Sequence, residues 1–282
     1  MRDTSNQIRV PRFDPDFFIL DEDKVNLDRF EKMSARHPVN ILTTGNQGCG
    51  KSSLVRQFAS LHKRPLATFQ VGLLLESGQL FGQTRLKKGE TYYREFLFPR
   101  AIQTPGCVVH LEEINRPEHP KALNMLFSIL SEDRQAWTDE LGHIKVADEV
   151  VFFATLNEGE EFVGTEMLDA ALRDRFYVSV LDYLPLEIET KVLHLKGEID
   201  PAEAQTIVNI ANKLRTNTQE PMIVSTRHTL MIAEMVSVGA PVKDAFINSL
   251  QISKDIIESV LLSLHVELGL KETSGGKGYQ LY

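Results

Sequence analysis

The hydrophobic rhythm of the chain changes once, near residue 185. Up to that point short apolar runs alternate with segments of helical period. Val39 to Leu42 (with Asn40 inside it), Leu66 to Leu73, Cys107 to Leu111, Val150 to Leu156 and Tyr177 to Leu181 each read as a strand. Strands of this kind, alternating with helices, predict a parallel sheet covered on both faces. Helices are expected at Asn26 to Met33, after residue 52, around Phe98 to Gln103, and over Pro120 to Glu132, where Leu123, Leu126, Phe127 and Leu130 recur with helical spacing. Gln135 to Val146 alternates around Asp139-Glu140-Leu141-Gly142 and predicts a β-hairpin. Beyond Pro185 only helical periods follow, at about 186–197, 201–217, 226–238, 241–250 and 253–267. The expected organisation is an N-terminal arm (1–24), an α/β domain (25–184), a helical domain (185–270) and a mobile tail (271–282) containing Ser274-Gly275-Gly276-Lys277-Gly278. No internal repeat is visible.

The turn after the first apolar run carries the sharpest chemical signal. Gly45-Asn46-Gln47-Gly48-Cys49-Gly50-Lys51-Ser52 fits the pattern G-x-x-x-x-G-K-[ST], and Ser53-Leu54-Val55-Arg56-Gln57-Phe58-Ala59 leaves it with helical spacing. Glycines let the backbone curl so that successive N–H groups face phosphate oxygens, and the helix start adds the positive end of its dipole. Lys51 is placed to reach the β/γ-phosphates and the Ser52 hydroxyl to ligate Mg²⁺. The segment Gly45 to Ser53 therefore predicts binding of a nucleoside triphosphate.

A second signal follows about sixty residues later, where the strand Cys107-Val108-Val109-His110-Leu111 ends in Glu112-Glu113. An acid at such a strand end holds the Mg²⁺ water shell, and the next acid can polarise the attacking water. That division assigns Glu112 to the metal and Glu113 to the water. Glu112 is a methylene longer than the usual Asp, so either the Mg²⁺ shell sits differently or Glu112 contributes less.

Composition narrows the field. At 282 residues, 42% hydrophobic and 25% charged, the chain has room for two globular domains. A net charge of −8 gives no global attraction to nucleic-acid phosphates, so nucleic acid is not the expected partner. Arg85, Lys87 and Lys88 form one short basic stretch, read as a solvated loop or as a grip for an acidic partner. The two cysteines, Cys49 and Cys107, make no disulfide framework and point to a reducing compartment. The histidines and cysteines show no metal-ligand spacing, and His110 reads as a core or hydrogen-bonded histidine. The N-terminus lacks an apolar signal region and no run approaches membrane-spanning length, so the cytosol is expected.

From Leu111-Glu112-Glu113-Ile114-Asn115-Arg116 onward the chain resembles the MoxR-like, dynein-related branch of the AAA+ ATPases, including the CbbQ/NorQ-type activators. Thr155-Leu156-Asn157 matches that family's sensor 1 position, where a polar residue orients the lytic water. Met167-Leu168-Asp169-Ala170-Ala171-Leu172-Arg173-Asp174-Arg175-Phe176 resembles its segment bearing the arginine finger. Arg175 matches the Arg-Phe pair and stands slightly ahead of Arg173 for that role. The two are separated by two positions, so on a helix they point apart and on an extended segment to the same side; one arginine is expected to reach a neighbour's γ-phosphate while the other makes an internal salt bridge. Ser225-Thr226-Arg227 resembles sensor 2. Leu74 to Tyr93 resembles the helix-2 insert and Gln135 to Val146 the pre-sensor-1 hairpin. Asn115 and Arg116 are open to either of two roles, toward a neighbouring subunit or toward the acid pair.

The resemblance implies a three-layer αβα phosphate-loop domain with a parallel five-stranded sheet, followed by a small all-helical lid. It also implies ATP and Mg²⁺, a homo-oligomer in the form of a hexamer, a protein client, and a partner carrying a von Willebrand factor A domain. In that scheme Glu113 polarises the water, Asn157 aligns it, Lys51 and the Mg²⁺ held by Ser52 and Glu112 offset the developing charge, and an arginine of the adjacent subunit completes the site. Arg227 reports the nucleotide state. Three alternatives stay open at this level: the motor subunit of a metal chelatase, a nucleotide-driven DNA-processing module of the restriction type, and a non-hydrolysing scaffold. ATP rather than GTP rests on the resemblance alone.

Overall fold

The computed structural model describes residues 8–117, 120–157, 168–217 and 222–263. Two compact units divide the chain, Met1–Tyr183 and Leu184–Tyr282. The expected tail (271–282), Met167 and the end of the last expected helix fall outside the described residues.

The first unit is built on a parallel sheet of five strands: β1 (Val39–Gly45), β2 (Leu66–Gln70), then, past a hairpin introduced below, β5 (Val108–Glu112), β8 (Val151–Thr155) and β9 (Tyr177–Leu181). Their spatial order is β2-β5-β8-β1-β9, all neighbours parallel. The middle strands are the most apolar in sequence because both of their faces are covered. β8 is buried at every position, and β1 and β5 at all but the last. The edge strands β2 and β9 are only partly buried.

Alternate residues feed two cores. Ile41, Val108, Val151 and Phe153 face α1 (Asp21–Ser34) and α2 (Lys51–Leu61), contributing to a core with Leu27, Phe30, Leu54, Val55 and Phe58. Phe58 and Phe153 meet edge to face at 5.0 Å between ring centroids, a favoured aromatic geometry. Leu42, Val109, Leu111, Phe152 and Ala154 feed the opposite core, shared with α3 (Leu97–Ile102) and α4 (Asn124–Leu130). The result is the three-layer αβα architecture.

Several elements differ in detail from the sequence reading. The first helix begins at Asp21, since Asp21, Glu22 and Asp23 in its first turn match the positive end of the helix dipole. The strand after α2 stops at Gln70 and continues as a 3₁₀ turn, Val71–Leu73. Pro120 opens a 3₁₀ turn (Pro120–Leu123) before α4. Within the glycine-punctuated insert lies an antiparallel hairpin, β3 (Gly82–Lys87) with β4 (Glu90–Glu95). Lys88 and Gly89 both have positive φ (56° and 84°), as a two-residue type I′ hairpin turn requires. The second hairpin is β6 (Gln135–Thr138) with β7 (Gly142–Lys145). A short helix α5 (Ala170–Arg173), capped by the Asp169 carboxylate, precedes β9.

In the second unit the described elements are helical: α6 (Leu186–Gly197), α7 (Pro201–Arg215), α8 (Thr226–Ser237), α9 (Val242–Leu250) and α10 (Lys254–Ser263). Leu193, Ile207, Ala211, Ile232 and Phe246 lie in its apolar core. A buried charge pair crosses that core. Arg215 donates through Nη1 and Nη2 to both oxygens of fully buried Glu189 (2.7 and 2.9 Å), and Thr229 Oγ1 adds a third bond at 2.8 Å. These bonds tie α6, α7 and α8 together.

Candidate functional site

Parallel sheets place ligands at the carboxyl ends of their strands, and the sequence-predicted loop 45–53, Glu112, Glu113 and Asn157 gather there, whereas Arg173 and Arg175 precede β9 at its amino end, where Arg175 O accepts from Asn40 Nδ2. β1 runs into the loop Gly45–Gly50, and α2 starts at Lys51 with Gly50 at its N-cap (φ 104°). Gly45 (φ 139°) has no room for a side chain, because a Cβ would stand 1.9 Å from Leu181 O on β9. Lys51 is buried, and its Nζ donates to Gly45 O and Asn46 O at 2.7 Å each. An ammonium held over neutral carbonyls at a helix start is a fitting receptor for phosphate. Cys49 Sγ lies 4.0 Å from Lys51 Nζ, and burial pushes its thiol pKa up.

The acid pair closes the other side. Ser52 Oγ donates to Glu112 Oε1 at 2.5 Å, and Gln70 Nε2 donates to Glu112 Oε2. A hydroxyl and a carboxylate meeting here form the hard-oxygen donor set that suits Mg²⁺. Glu113 sits in the left-handed region (φ 56°), and both of its carboxylate oxygens stand 2.8 Å from Arg116 Nη1.

β8 lies between β5 and β1, so Asn157 leaves the sheet between the acid pair and the phosphate loop. Two bonds tie this exit to the acid turn: Ile114 N–H to Thr155 O and Asn115 Nδ2 to Asn157 O, both 3.0 Å. Below it, buried His110 lies 3.2 Å from Thr155 Oγ1 and 3.5 Å from Thr68 Oγ1. Burial, aided by Arg56 and opposed by Glu112, lowers the His110 pKa to about 4, so it is a neutral hydrogen-bonding group.

The two arginines differ in setting. Arg175 is half-buried, with its guanidinium 5.1 Å over the Phe127 ring and Nη1 donating to Ala171 O. Arg173, at the end of α5, is exposed. In the second unit Arg227 is exposed in the first turn of α8, which Ser225 and His228 cap reciprocally.

The structure also adds residues the sequence did not single out. Gln70 reaches Glu112 because β2 and β5 pair in that register. Asn46 Nδ2 donates to Asp182 Oδ1 and Tyr183 Oη to Gln47 O, each at 3.4 Å, so the segment after β9 touches the phosphate loop. The arm does so too: Asp14 and Gln57 exchange two hydrogen bonds, and the Phe17 ring lies 3.5 Å from where a Cβ on Gly50 would stand. Nothing in their local sequence marks these contacts, since each joins distant segments.

A phosphate loop, an acid pair and an intervening polar strand end, in the strand order seen here, define a phosphate-loop nucleoside-triphosphatase core. Comparison with known proteins resolves the class further. Residues 40–176 match the AAA domain of the dynein-related subfamily, and residues 189–254 match the CbbQ/NirQ/NorQ C-terminal domain. A protein of Thauera aromatica described as "Putative chaperone BssE" is 59% identical over 98% of this chain and 96% of its own length. An uncharacterized Staphylococcus epidermidis protein is 30% identical over 65% of this chain and 71% of its own. Among solved structures, the AAA domain of FIGL-1 in complex with ADP superposes with a TM-score of 0.54 (15% identity, 93% of this chain, 87% of that one). A Thermotoga maritima RuvB mutant gives 0.52 (19% identity, 92% and 74%). The chain belongs to the MoxR-like, dynein-related AAA+ ATPases with a CbbQ/NirQ/NorQ-type C-terminal domain. No helix among the described residues is long and apolar enough to cross a membrane.

Proposed function

We propose that the chain hydrolyses ATP as a subunit of a homo-oligomeric ring, a hexamer, and uses turnover to remodel or activate a protein client in the cytosol. The observation that carries this reading is the convergence of Lys51, the Ser52–Glu112 pair, Glu113 and Asn157 on one edge of one sheet. Lys51 and the loop N–H groups bind the phosphates, Glu113 accepts the proton of the attacking water, and Asn157 aligns that water. Ser52 and Glu112 are the residues that would hold Mg²⁺, which when bound would offset charge on the phosphate oxygens. The domain division proposed is 25–184 for nucleotide binding and 185–270 for the lid, with Arg227 in the sensor 2 role.

The completing arginine is assigned in trans. Exposure favours Arg173 for it, while Arg175, resting on Phe127, suits the internal role. The client role draws support from the relative described as a chaperone; the two hairpins, with exposed Leu86, Tyr92 and Trp137, are the proposed contacts. A von Willebrand factor A domain protein is the proposed partner type.

Mixing two inactive variants tests the shared site. Lys51→Ala abolishes nucleotide binding in its own loop, and Arg173→Ala removes the arginine offered to a neighbour. A mixture is expected to regain ATP turnover at interfaces that pair an intact loop with an intact arginine. A mixture as inactive as its components contradicts the trans assignment.

A further inference from the structure

Arg116 lies three residues after Glu113, outside the reaction's own groups, yet it holds both oxygens of the Glu113 carboxylate through one nitrogen, at 2.8 Å each. The pairing is built into the local chain. Arg116 N–H donates to Glu113 O at 3.1 Å, closing a tight turn, and Glu113 occupies left-handed backbone that a non-glycine residue adopts at a cost. Between them the turn is anchored to β8, through Ile114 N–H on Thr155 O and Asn115 Nδ2 on Asn157 O. The middle of the turn is thus fixed while the side chains at its two ends close on each other. Gly72 stands opposite. A Cβ there would come within 3.0 Å of Arg116 Cβ and 3.4 Å of its Cδ, so the bare glycine leaves the space that the arginine stem occupies.

We propose that Arg116 is a positioning residue that restrains Glu113, so that basal hydrolysis waits on the opening of this pair. The inference rests on Glu113 being the group that polarises the water. With both oxygens engaged by a guanidinium, the carboxylate has its charge offset and part of its acceptor capacity taken, and the pair must loosen before a water proton is accepted. The Arg116 side chain is 52% exposed against 32% for Glu113, so water reaches both members of the pair. An exposed ion pair is a weak latch that opens readily.

The test compares ATP turnover, over a range of ATP concentrations, for the full chain and its Arg116→Ala, Arg116→Lys, Gly72→Ala and Glu113→Gln variants. Arg116→Ala is expected to raise kcat about two- to five-fold, the range an exposed pair allows, with KM for ATP unchanged. Arg116→Lys should return toward the wild-type rate. Gly72→Ala, which crowds the arginine stem without touching Glu113, should also raise kcat. In the Glu113→Gln background, Arg116→Ala should add nothing. A kcat at or below wild type in Arg116→Ala overturns the latch, whatever Gly72→Ala does. If that occurs while Glu113→Gln is inactive, the latch alone fails; if Glu113→Gln turns over like wild type, the base assignment fails and the latch with it.

Discussion

Ser52 Oγ donates to Glu112 Oε1 across 2.5 Å, joining the first turn of α2 to the end of β5. Glu112 carries one methylene more than an aspartate would. It reaches the hydroxyl directly, and Gln70 takes its second oxygen.

The pair is expected to set metal affinity. Ser52→Ala and Glu112→Gln should each raise the Mg²⁺ concentration giving half-maximal turnover by roughly ten- to hundred-fold, the scale seen when groups that orient a metal site are lost. Because both variants break the same contact, the double variant should be less impaired than the product of the singles. Mg²⁺ titration of ATPase rates checks this.

Glu189 and Arg215 form the buried charge pair of the helical unit, with Glu189 fully buried and the Arg215 side chain 11% exposed. Removing one partner strands the other in the core. Glu189→Ala is expected to destabilise that unit by about 3–5 kcal/mol. Replacing both by apolar residues of similar volume should cost much less. Urea unfolding followed by circular dichroism separates the two outcomes.

His228 closes the cap of α8 in its neutral form. Ser225 N–H donates to its Nδ1 at 3.2 Å, which leaves the proton on Nε2. Burial first, then the neighbouring Arg227 and Arg215, lower its pKa from 6.5, against an opposing backbone hydrogen bond at Ile223. A lowered pKa means that the unfolded chain binds the proton before the folded one does. Stability from this group is therefore full above about pH 6.5 and falls as pH drops from there toward the lower folded value. His228→Gln should flatten that part of the stability curve, as read by thermal unfolding between pH 5 and pH 8.

Gly45 combines a φ of 139° with the carbonyl of Leu181 where a side chain would go. Gly45→Ala is expected to disturb the β1–β9 pairing and the loop together. Loss of ATP binding along with a lowered unfolding temperature, measured in parallel, is the expected outcome; an alanine variant with normal binding and stability would contradict it.

The central strands were readable because residues such as Phe152 and Phe153 are buried on opposite faces of one strand, which leaves an unbroken apolar run. The phosphate loop and the acid pair were readable because their chemistry demands residue types at fixed spacing. The hairpin β3–β4 was not, because Thr84, Arg85, Leu86 and Lys87 are all exposed and no apolar alternation exists to betray them. Its sole local sign was the turn at Lys88-Gly89. Contacts made by register or packing were equally hidden. Gln70 meets Glu112 only through the β2–β5 pairing, and Arg175 lies over a phenylalanine forty-eight positions earlier.

Of all these groups Glu113 is the one on which hydrolysis depends most directly. Steady-state ATP turnover of Glu113→Gln, with ATP binding measured on the same preparation, tests it. The expected result is retained binding with turnover lowered at least about a hundred-fold, the scale of a lost general base. Wild-type turnover in Glu113→Gln would contradict the account.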